Sequence, residues 1–304
     1  MSTIMTDSAE EKTLQRRIRL QKFGHVLWVV ARFVIIFGLA FIILKPFLQK
    51  VLLAFMPPED LLNETVQYIP TVFSGYYWEK AWEGLQLHST LLNTMVMSLI
   101  VSALQLFVCT CVGYGLARYR FIGNRFLMVA VVVIMLIPSE VYSISQFLTF
   151  WEMGMVDTPM PLYVLSFCGL GLKEGLYILF MRSFFAGLPK DLEAAAYVDG
   201  AGNIRAFVSV ILPNARSIMA TVFLFSFCWQ WTDTSMSQLY FSDYQVLANI
   251  VTTIRVSRNG SMDIMGTGIA QNAACILIIL PLLIVFLCCS KFVTKSFVTS
   301  GIAN

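Results

Sequence analysis

The sequence predicts an all-α polytopic membrane protein with six transmembrane helices, and three observations predict it. Apolar residues make up 58% of the 304-residue chain and charged residues 13%, with a mean hydropathy of +0.74. A soluble domain of this length has no interior large enough to hide that much apolar surface. The apolar runs are continuous and about 20 residues long, the length that crosses the hydrocarbon layer, and they lack the short alternating strands of an outer-membrane barrel. The cations, finally, gather in alternate connecting segments, the asymmetry that orients helical membrane proteins.

Taken in order, residues 1–25 are polar and of mixed charge. No short apolar core precedes a small-residue cleavage site, so they read as a cytoplasmic N-terminal arm rather than a cleaved signal. The transmembrane domain, 26–296, carries spans expected at Val26–Leu48, Leu91–Leu116, Phe126–Phe147, Leu162–Phe185, Ile218–Thr234 and Ala273–Val293, with a cytoplasmic tail at 297–304. Lys12, Arg16, Arg17, Arg19 and Lys22 precede the first span, Arg118, Arg120 and Arg125 follow the second, Lys190, Arg205 and Arg216 follow the fourth, and Lys291 and Lys295 close the chain. The other loops carry Glu59, Asp60, Glu64, Glu79, Glu83, Glu152 and Asp157 with few cations. Both termini are therefore expected in the cytoplasm, with Arg255 and Arg258 as exceptions in a longer loop where the rule is weak.

The net charge of +3 comes without a basic run of the kind that binds nucleic acid. The seven cysteines lie in apolar stretches, none as C-x-x-C, and read as free, buried small hydrophobes. His25 and His88 are too few and too far apart for a metal or triad site.

The most informative stretch is a polar, alanine- and glycine-rich island at 187–216, set between apolar segments. Pro189 suits the first position of a helix after Gly187 ends the preceding span. Lys190 to Asp199 then reads as a short helix closed by Gly200 or Gly202 in a left-handed cap. Ile204, Phe207, Val208 and Ile211 resume an apolar helical face, and Pro213 stops or kinks it before the fifth span. Ala194, Ala195 and Ala196 would let a partner backbone approach closely.

This island resembles the EAA loop of the membrane subunits of bacterial ABC importers. The pattern runs E-A-A, three residues, Gly, nine residues, an apolar residue, one residue, Leu-Pro; Ala195, Ala196, Gly200, Val210, Leu212 and Pro213 fall in register. Its acidic position falls on Ala194, with Glu193 one place earlier and about 100° round the helix. The likeness extends along the chain through Asn93-Thr94, Gly113 to Phe121, Leu136-Ile137-Pro138, Gly154 to Pro159, Met181 to Phe185, Leu188-Pro189, Trp231-Thr232-Asp233 and Phe297 to Ile302. The chain as a whole is similar to the MalG-like permeases of carbohydrate ABC importers.

The resemblance implies a MetI-like six-helix permease fold with a cytoplasmic coupling helix. It also implies partners: a second, MalF-like permease, a cytoplasmic ABC ATPase dimer, an external solute-binding protein and a sugar, most simply an oligosaccharide. Leu192, Glu193, Ala194, Ala195, Ala196, Asp199, Gly200, Leu212 and Pro213 would then carry the coupling to the ATPase. The chain has no G-x-x-x-x-G-K-[ST], so ATP and Mg belong to that partner, and no catalytic residue or cofactor is expected here.

Charged groups at bilayer depth are costly, roughly 2.5 to 3.5 kcal/mol each at the centre on insertion scales. Two readings are open for Glu140 and for Asp233 with its neighbours Gln230 and Trp231: they line a sugar path, or they are polarity at helix ends. Lys173 and Glu174 could line the same path, but read first as end-of-helix polarity or an internal ion pair. Two alternatives remain at this stage, a permease of the same type for glycerol phosphate or peptide, and a secondary transporter, which would show an internal repeat and broken helices.

Overall fold

Helix α1 (Thr3–Ala54) runs unbroken for 52 residues, so the expected arm and first span form one helix. The computed structural model describes the backbone of residues 3–301 except residues 64 and 259, and the side chains of residues 22 and 24–290 with the same exceptions. The charges expected at Lys12, Arg16, Arg17, Arg19, Glu64, Lys291 and Lys295, and the side chains of the closing segment Phe297 to Ile302, lie outside the described residues. The chain divides into two compact units, residues 1–75 and 76–304.

In the first unit, the Gly24–Ala54 stretch of α1 buries none of its most apolar window within the chain. Phe33, Phe37 and Ile43 are exposed. A helix apolar on every side needs lipid or a partner as its surroundings. Beyond it, the Asp60 carboxylate accepts the Thr71 N–H and hydroxyl, both at 2.8 Å, and the Phe55 and Phe73 rings meet at 5.9 Å.

The second unit is built on α3 (Leu87–Arg118), which follows the short α2 (Tyr76–Leu85). The pair α4 (Asn124–Leu136) and α5 (Glu140–Glu152) comes next, then α6 (Met160–Phe167) and α7 (Glu174–Gly187). The loop helix α8 (Asp191–Val198) leads into α9 (Asn203–Ala206), one π turn at Phe207–Ile211, and α10 (Leu212–Asn214). Then come α11 (Arg216–Thr232), α12 (Ser235–Tyr240), α13 (Leu247–Ile250), a hairpin of β1 (Ser257–Arg258) and β2 (Ser261–Met262), and α14 (Ile264–Gly301).

Among the described residues, three helices are long and apolar enough to cross a membrane unaided: those in α1, α3 and α14. Two of the spans expected to be continuous are broken. The third is α4 and α5, bent by 99°. Pro138 causes the break, because it pushes the residue before it out of helical geometry, and Ile137 is extended at φ −74°, ψ 121°. The fourth is α6 and α7, separated by a turn in which Gly169 (φ 78°) and Lys173 (φ 59°) are left-handed. The tail expected at 297–304 continues α14 as far as Gly301.

The core sits where α7 and α11 flank α3. Cys109 and Tyr114 from α3 cluster with Tyr177, Met181 and Phe185 from α7, and with Val222 of α11 and Ala215 at its start. In lipid, helix association depends on close packing rather than on escape from water. Gly113 provides that closeness: a Cβ there would lie 2.7 Å from the Met181 Cβ and 2.9 Å from the Arg182 N. A second cluster joins Met97 and Val101 to Phe150, Leu162 and Tyr240. All seven cysteines are free, as expected, but only Cys109 is buried. Among the described residues many large apolar side chains are exposed, so an apolar run does not place a side chain inside the protein.

Asp157 lies in the loop between α5 and α6 and fastens this second cluster. Its Oδ1 accepts the backbone N–H groups of Ser242, Asp243 and Tyr244 at 2.9, 2.8 and 2.8 Å, while its own N–H donates to the Tyr240 carbonyl at 2.8 Å. The Tyr244 N–H above all, with those of Asp243 and Ser242, holds the carboxyl below its ordinary value of 3.8, and partial desolvation opposes this. Hydrogen bonds to the charged form have that effect. A carboxyl lowered by folding contributes stability that is complete above its unfolded pKa and is lost as pH falls through the folded value. Melting temperature in detergent is therefore expected to drop below pH 4 by a larger margin in the wild-type chain than in Asp157→Asn, which is already weakened at pH 7. Equal acid sensitivity of the two would remove the role assigned to this carboxylate.

Candidate functional site

The island folds as a short, capped helix on a rigid corner. Asp191 and Glu193 lie in the first turn of α8, where they suit the positive end of the helix dipole. Pro189 precedes Lys190, the N-cap, and so is not the first helical residue as expected. At the other end, the Gly200 N–H donates to the Tyr197 carbonyl at 3.0 Å and the Ala201 N–H to the Ala196 carbonyl at 2.9 Å. This pair of bonds is a Schellman cap. It requires a left-handed residue after the helix, and Gly200 supplies it at φ 79°.

An eight-residue helix is too short to persist by itself, so tertiary contacts hold it. Ala196 is buried, and Leu192 and Glu193 are half-buried. Glu193 Oε1 lies 3.2 Å from Arg118 Nε and accepts the Tyr114 hydroxyl at 3.0 Å. Arg118, at the end of α3, also donates from Nη2 to the Leu188 carbonyl at 2.9 Å. The Tyr114 ring packs against Phe207 at 4.4 Å and Phe185 at 5.4 Å.

The opposite face of α8 is open. Asp191, Ala194, Ala195 and Val198 are exposed, and their spacing of i, i+3, i+4, i+7 makes them one stripe. Ala194, at the acidic position of the importer pattern, thus lies on the outer stripe, and Glu193 lies on the inner side. Beyond the cap, Ile204 and Val208 are exposed at 81% and 53%, while Phe207 turns inward and Ile211 is buried. Asp199 is the exposed C-cap. Leu212 and Pro213 belong to α10, and the chain bends by 76° into α11 at the buried Ala215. The turn thus follows Pro213 by two residues instead of falling on it.

A cavity of about 300 Å³ opens where the two broken helices face α11. Glu140, Tyr142, Gln146, Ser166, Glu174 and Gln230 contribute polar groups to its lining. Buried polar atoms normally have partners. Gln230 Nε2 and Gln146 Oε1 are buried with none among the described residues. Glu174, 1% exposed, accepts the Gly171 N–H at 2.7 Å, and the Lys173 ammonium lies 5.2 Å from the Trp229 ring centroid. These two neighbours do not form an ion pair with each other, as one reading of the sequence had it.

Of the four path candidates, the cavity brings Glu140 and Gln230 together and not the other two. Trp231 is fully buried, donating from Nε1 to the Ile278 carbonyl at 3.2 Å and packing on Phe227 at 5.4 Å. Asp233 caps α12 by accepting the Met236 and Ser237 N–H groups, both at 3.1 Å. Gln146 was not singled out from the sequence, where it is one polar residue in an apolar run. The break at Pro138, which re-aims α5, was the available signal. Among the described residues, no group of three or more His, Cys, Asp or Glu side chains is arranged to hold a metal ion.

The family model described as binding-protein-dependent transport system inner membrane component matches residues 109–297, more than half of the chain. The chain belongs to this family. The permease is 25% identical over 269 residues to the polygalacturonan/rhamnogalacturonan transport system permease protein YtcP of Bacillus subtilis (strain 168), over 85% of this chain and 90% of that one. It is 26% identical over 225 residues to the melibiose/raffinose/stachyose import permease protein MelC of the same organism, over 73% and 79% of the two chains. A chain in the crystal structure of a bacterial ABC transporter involved in the import of the acidic polysaccharide alginate matches 87% of the permease and 96% of its own length. The TM-score is 0.71 at 18% identity, which shows a shared fold. The MetI-like permease fold implied by the sequence patterns is the fold found.

Proposed function

We propose that this permease is half of the translocation path of an ATP-driven importer of neutral oligosaccharides, and that the 187–216 loop is where a separate ATPase grips it. The carrying observation is the open stripe of α8, Ala194, Ala195 and Val198, with Ile204 and Val208 also exposed beyond the cap: apolar surface outside the long spanning helices, on a capped, braced element. Small residues admit a close partner backbone, and an exposed apolar patch marks an interaction site. The excess of Lys and Arg on the same side as this loop supports a cytoplasmic position for it and for both termini. ATP and Mg then belong to the ATPase dimer, and a MalF-like permease and an external binding protein complete the importer.

The cargo reading is supported by several relatives named for oligosaccharide transport, melibiose, raffinose and stachyose among them. It is supported as well by the cavity, whose orphaned amides suit hydroxyl-rich ligands. The one ammonium in the lining, that of Lys173, is turned toward Trp229. A cavity with its cation so engaged offers a polyanion little. Glu140 and Gln230 are the path residues on this reading, and Trp231 and Asp233 hold the adjoining helices.

The test of docking is Ala195→Asp, which buries an unpaired charge in the contact, at a cost of several kcal/mol. Expected is a permease pair that assembles normally and no longer co-purifies with its ATPase. Full co-purification would refute the docking assignment.

A further inference from the structure

The inner side of α8 carries a link that the docking of its outer side does not explain. One carboxylate oxygen, Glu193 Oε1, is shared by the Arg118 guanidinium at 3.2 Å and the Tyr114 hydroxyl at 3.0 Å. The Arg118 and Glu193 side chains are only 5% and 13% exposed, so solvent screens the pair weakly. The same guanidinium holds the Leu188 carbonyl at 2.9 Å, where the chain leaves α7 for the loop. Tyr114 adds its ring, wedged between Phe185 of α7 and Phe207 of the π turn. Three segments therefore converge on one turn of α3, from residue 114 to residue 118: the end of α7, the first turn of α8, and the loop beyond α8.

We infer that Arg118, Tyr114 and Glu193 form a strut through which displacement of α8 is delivered to the membrane span α3. The inference rests on the reading of α8 as the ATPase docking helix. Charge placement supports it. The outer stripe has Ala194 where the importer pattern has its acid, while the neighbouring carboxylate, Glu193, is spent inward on its own span and Asp191 alone stays on the open side of α8. A helix joined to the bundle only by the Leu188–Lys190 turn would swivel when pushed. Fixed at its first turn by a largely buried ion pair and the Tyr114 hydrogen bond beside it, it moves with α3 as one body. A guanidinium is suited to this because it presents several donors in one plane and holds a carboxylate and a carbonyl at once. Arg118 is thus a positioning residue: it touches neither nucleotide nor cargo.

The test uses the whole importer in lipid nanodiscs, with amide hydrogen exchange read by mass spectrometry in the apo state and after trapping with ATP and vanadate. In the wild-type complex, ATPase binding should protect residues 191–200. Trapping should change exchange in residues 112–119 by at least tenfold. Glu193→Gln keeps the shape and removes the charge. It is expected to co-purify with the ATPase and keep the protection over 191–200, while the nucleotide-dependent change at 112–119 falls to under threefold. Tyr114→Phe retains the ring packing and should lose part of the change. The exchanged pair Arg118→Glu with Glu193→Arg should recover more of it than Arg118→Glu alone, which a purely local folding role does not predict.

If Glu193→Gln and Tyr114→Phe both leave the change at 112–119 intact, the strut is overturned and the docking reading stands. If Glu193→Gln removes the protection over 191–200, Glu193 is a docking contact and the strut is again overturned. If the wild-type complex shows no protection over 191–200, the docking reading itself fails.

Discussion

Replacing Gly113 by alanine is expected to cost the permease about 2 kcal/mol or more, the upper part of the range for overpacking a well-packed contact. The added Cβ would stand 2.7 Å from the Met181 Cβ and 2.9 Å from the Arg182 backbone N. A flexible side-chain tip can swing aside, but a backbone nitrogen in the middle of α7 moves only if the whole helix moves. That helix also carries Tyr177, Met181 and Phe185 into the core against α3 and α11, so the separation would loosen the centre of the second unit. Gly115, two residues on, is the control. A Cβ there meets nothing within 4 Å, and alanine in a helix interior is favoured over glycine by up to about 1 kcal/mol. Thermal unfolding in detergent should show Gly113→Ala melting well below wild type, with reduced monodisperse yield, and Gly115→Ala at or above it. Equal melting of the two variants would show that α3 and α7 do not meet at Gly113 as described.

Gly200→Ala is expected to weaken ATPase docking by roughly five- to thirtyfold while leaving the bundle folded. Here the obstacle is conformational and not steric: the position has open space around it, yet its φ is 79°. An L-residue with a Cβ pays about 1–2 kcal/mol in the left-handed region, which is the stated range in an equilibrium constant. The free loop can avoid this strain by opening the Schellman cap. Docking then requires the cap to reform, so the cost appears as lost affinity. Asparagine tolerates left-handed geometry better than other side chains, and Gly200→Asn should retain most of the binding; Gly200→Val should lose the most. Titration of the purified ATPase against the permease pair in nanodiscs reads the series. Equal affinity for glycine, asparagine and valine at this position would show that the cap has no part in docking.

The parts of this protein that follow from local rules were legible in its residues. A helix needs only its own periodicity, its caps and its breakers. That sufficed to find α8 within a residue at each end and to foresee the positive φ of Gly200. The length of the apolar runs likewise located α1, α3 and α14. Pro138 was visible too, but whether a proline kinks a span or splits it depends on what the freed backbone meets next. The 99° bend of α4 and α5 could not be read from it. The turn between α6 and α7 was hidden for a similar reason, since the left-handed Lys173 is a conformation that sequence does not announce.

The candidate site divides in the same way. The sequence by itself determined the short helix, the glycine that caps it and the membrane character of the rest, but it offered Ala194, Ala195 and Ala196 together as the contact surface, whereas Ala196 is buried and Val198 takes its place on the open stripe. Which side of α8 would be open, that Glu193 would turn inward to Arg118 and Tyr114, and that Glu140 would meet Gln230 across a cavity while Trp231 and Asp233 went to hold helices, only the tertiary structure decided. Spacing along a helix fixes the angle between neighbouring side chains, but not the face toward which the helix rolls. Arg118 and Glu193 are 75 residues apart, and a contact across that separation exists only once α3, α7 and the loop have packed.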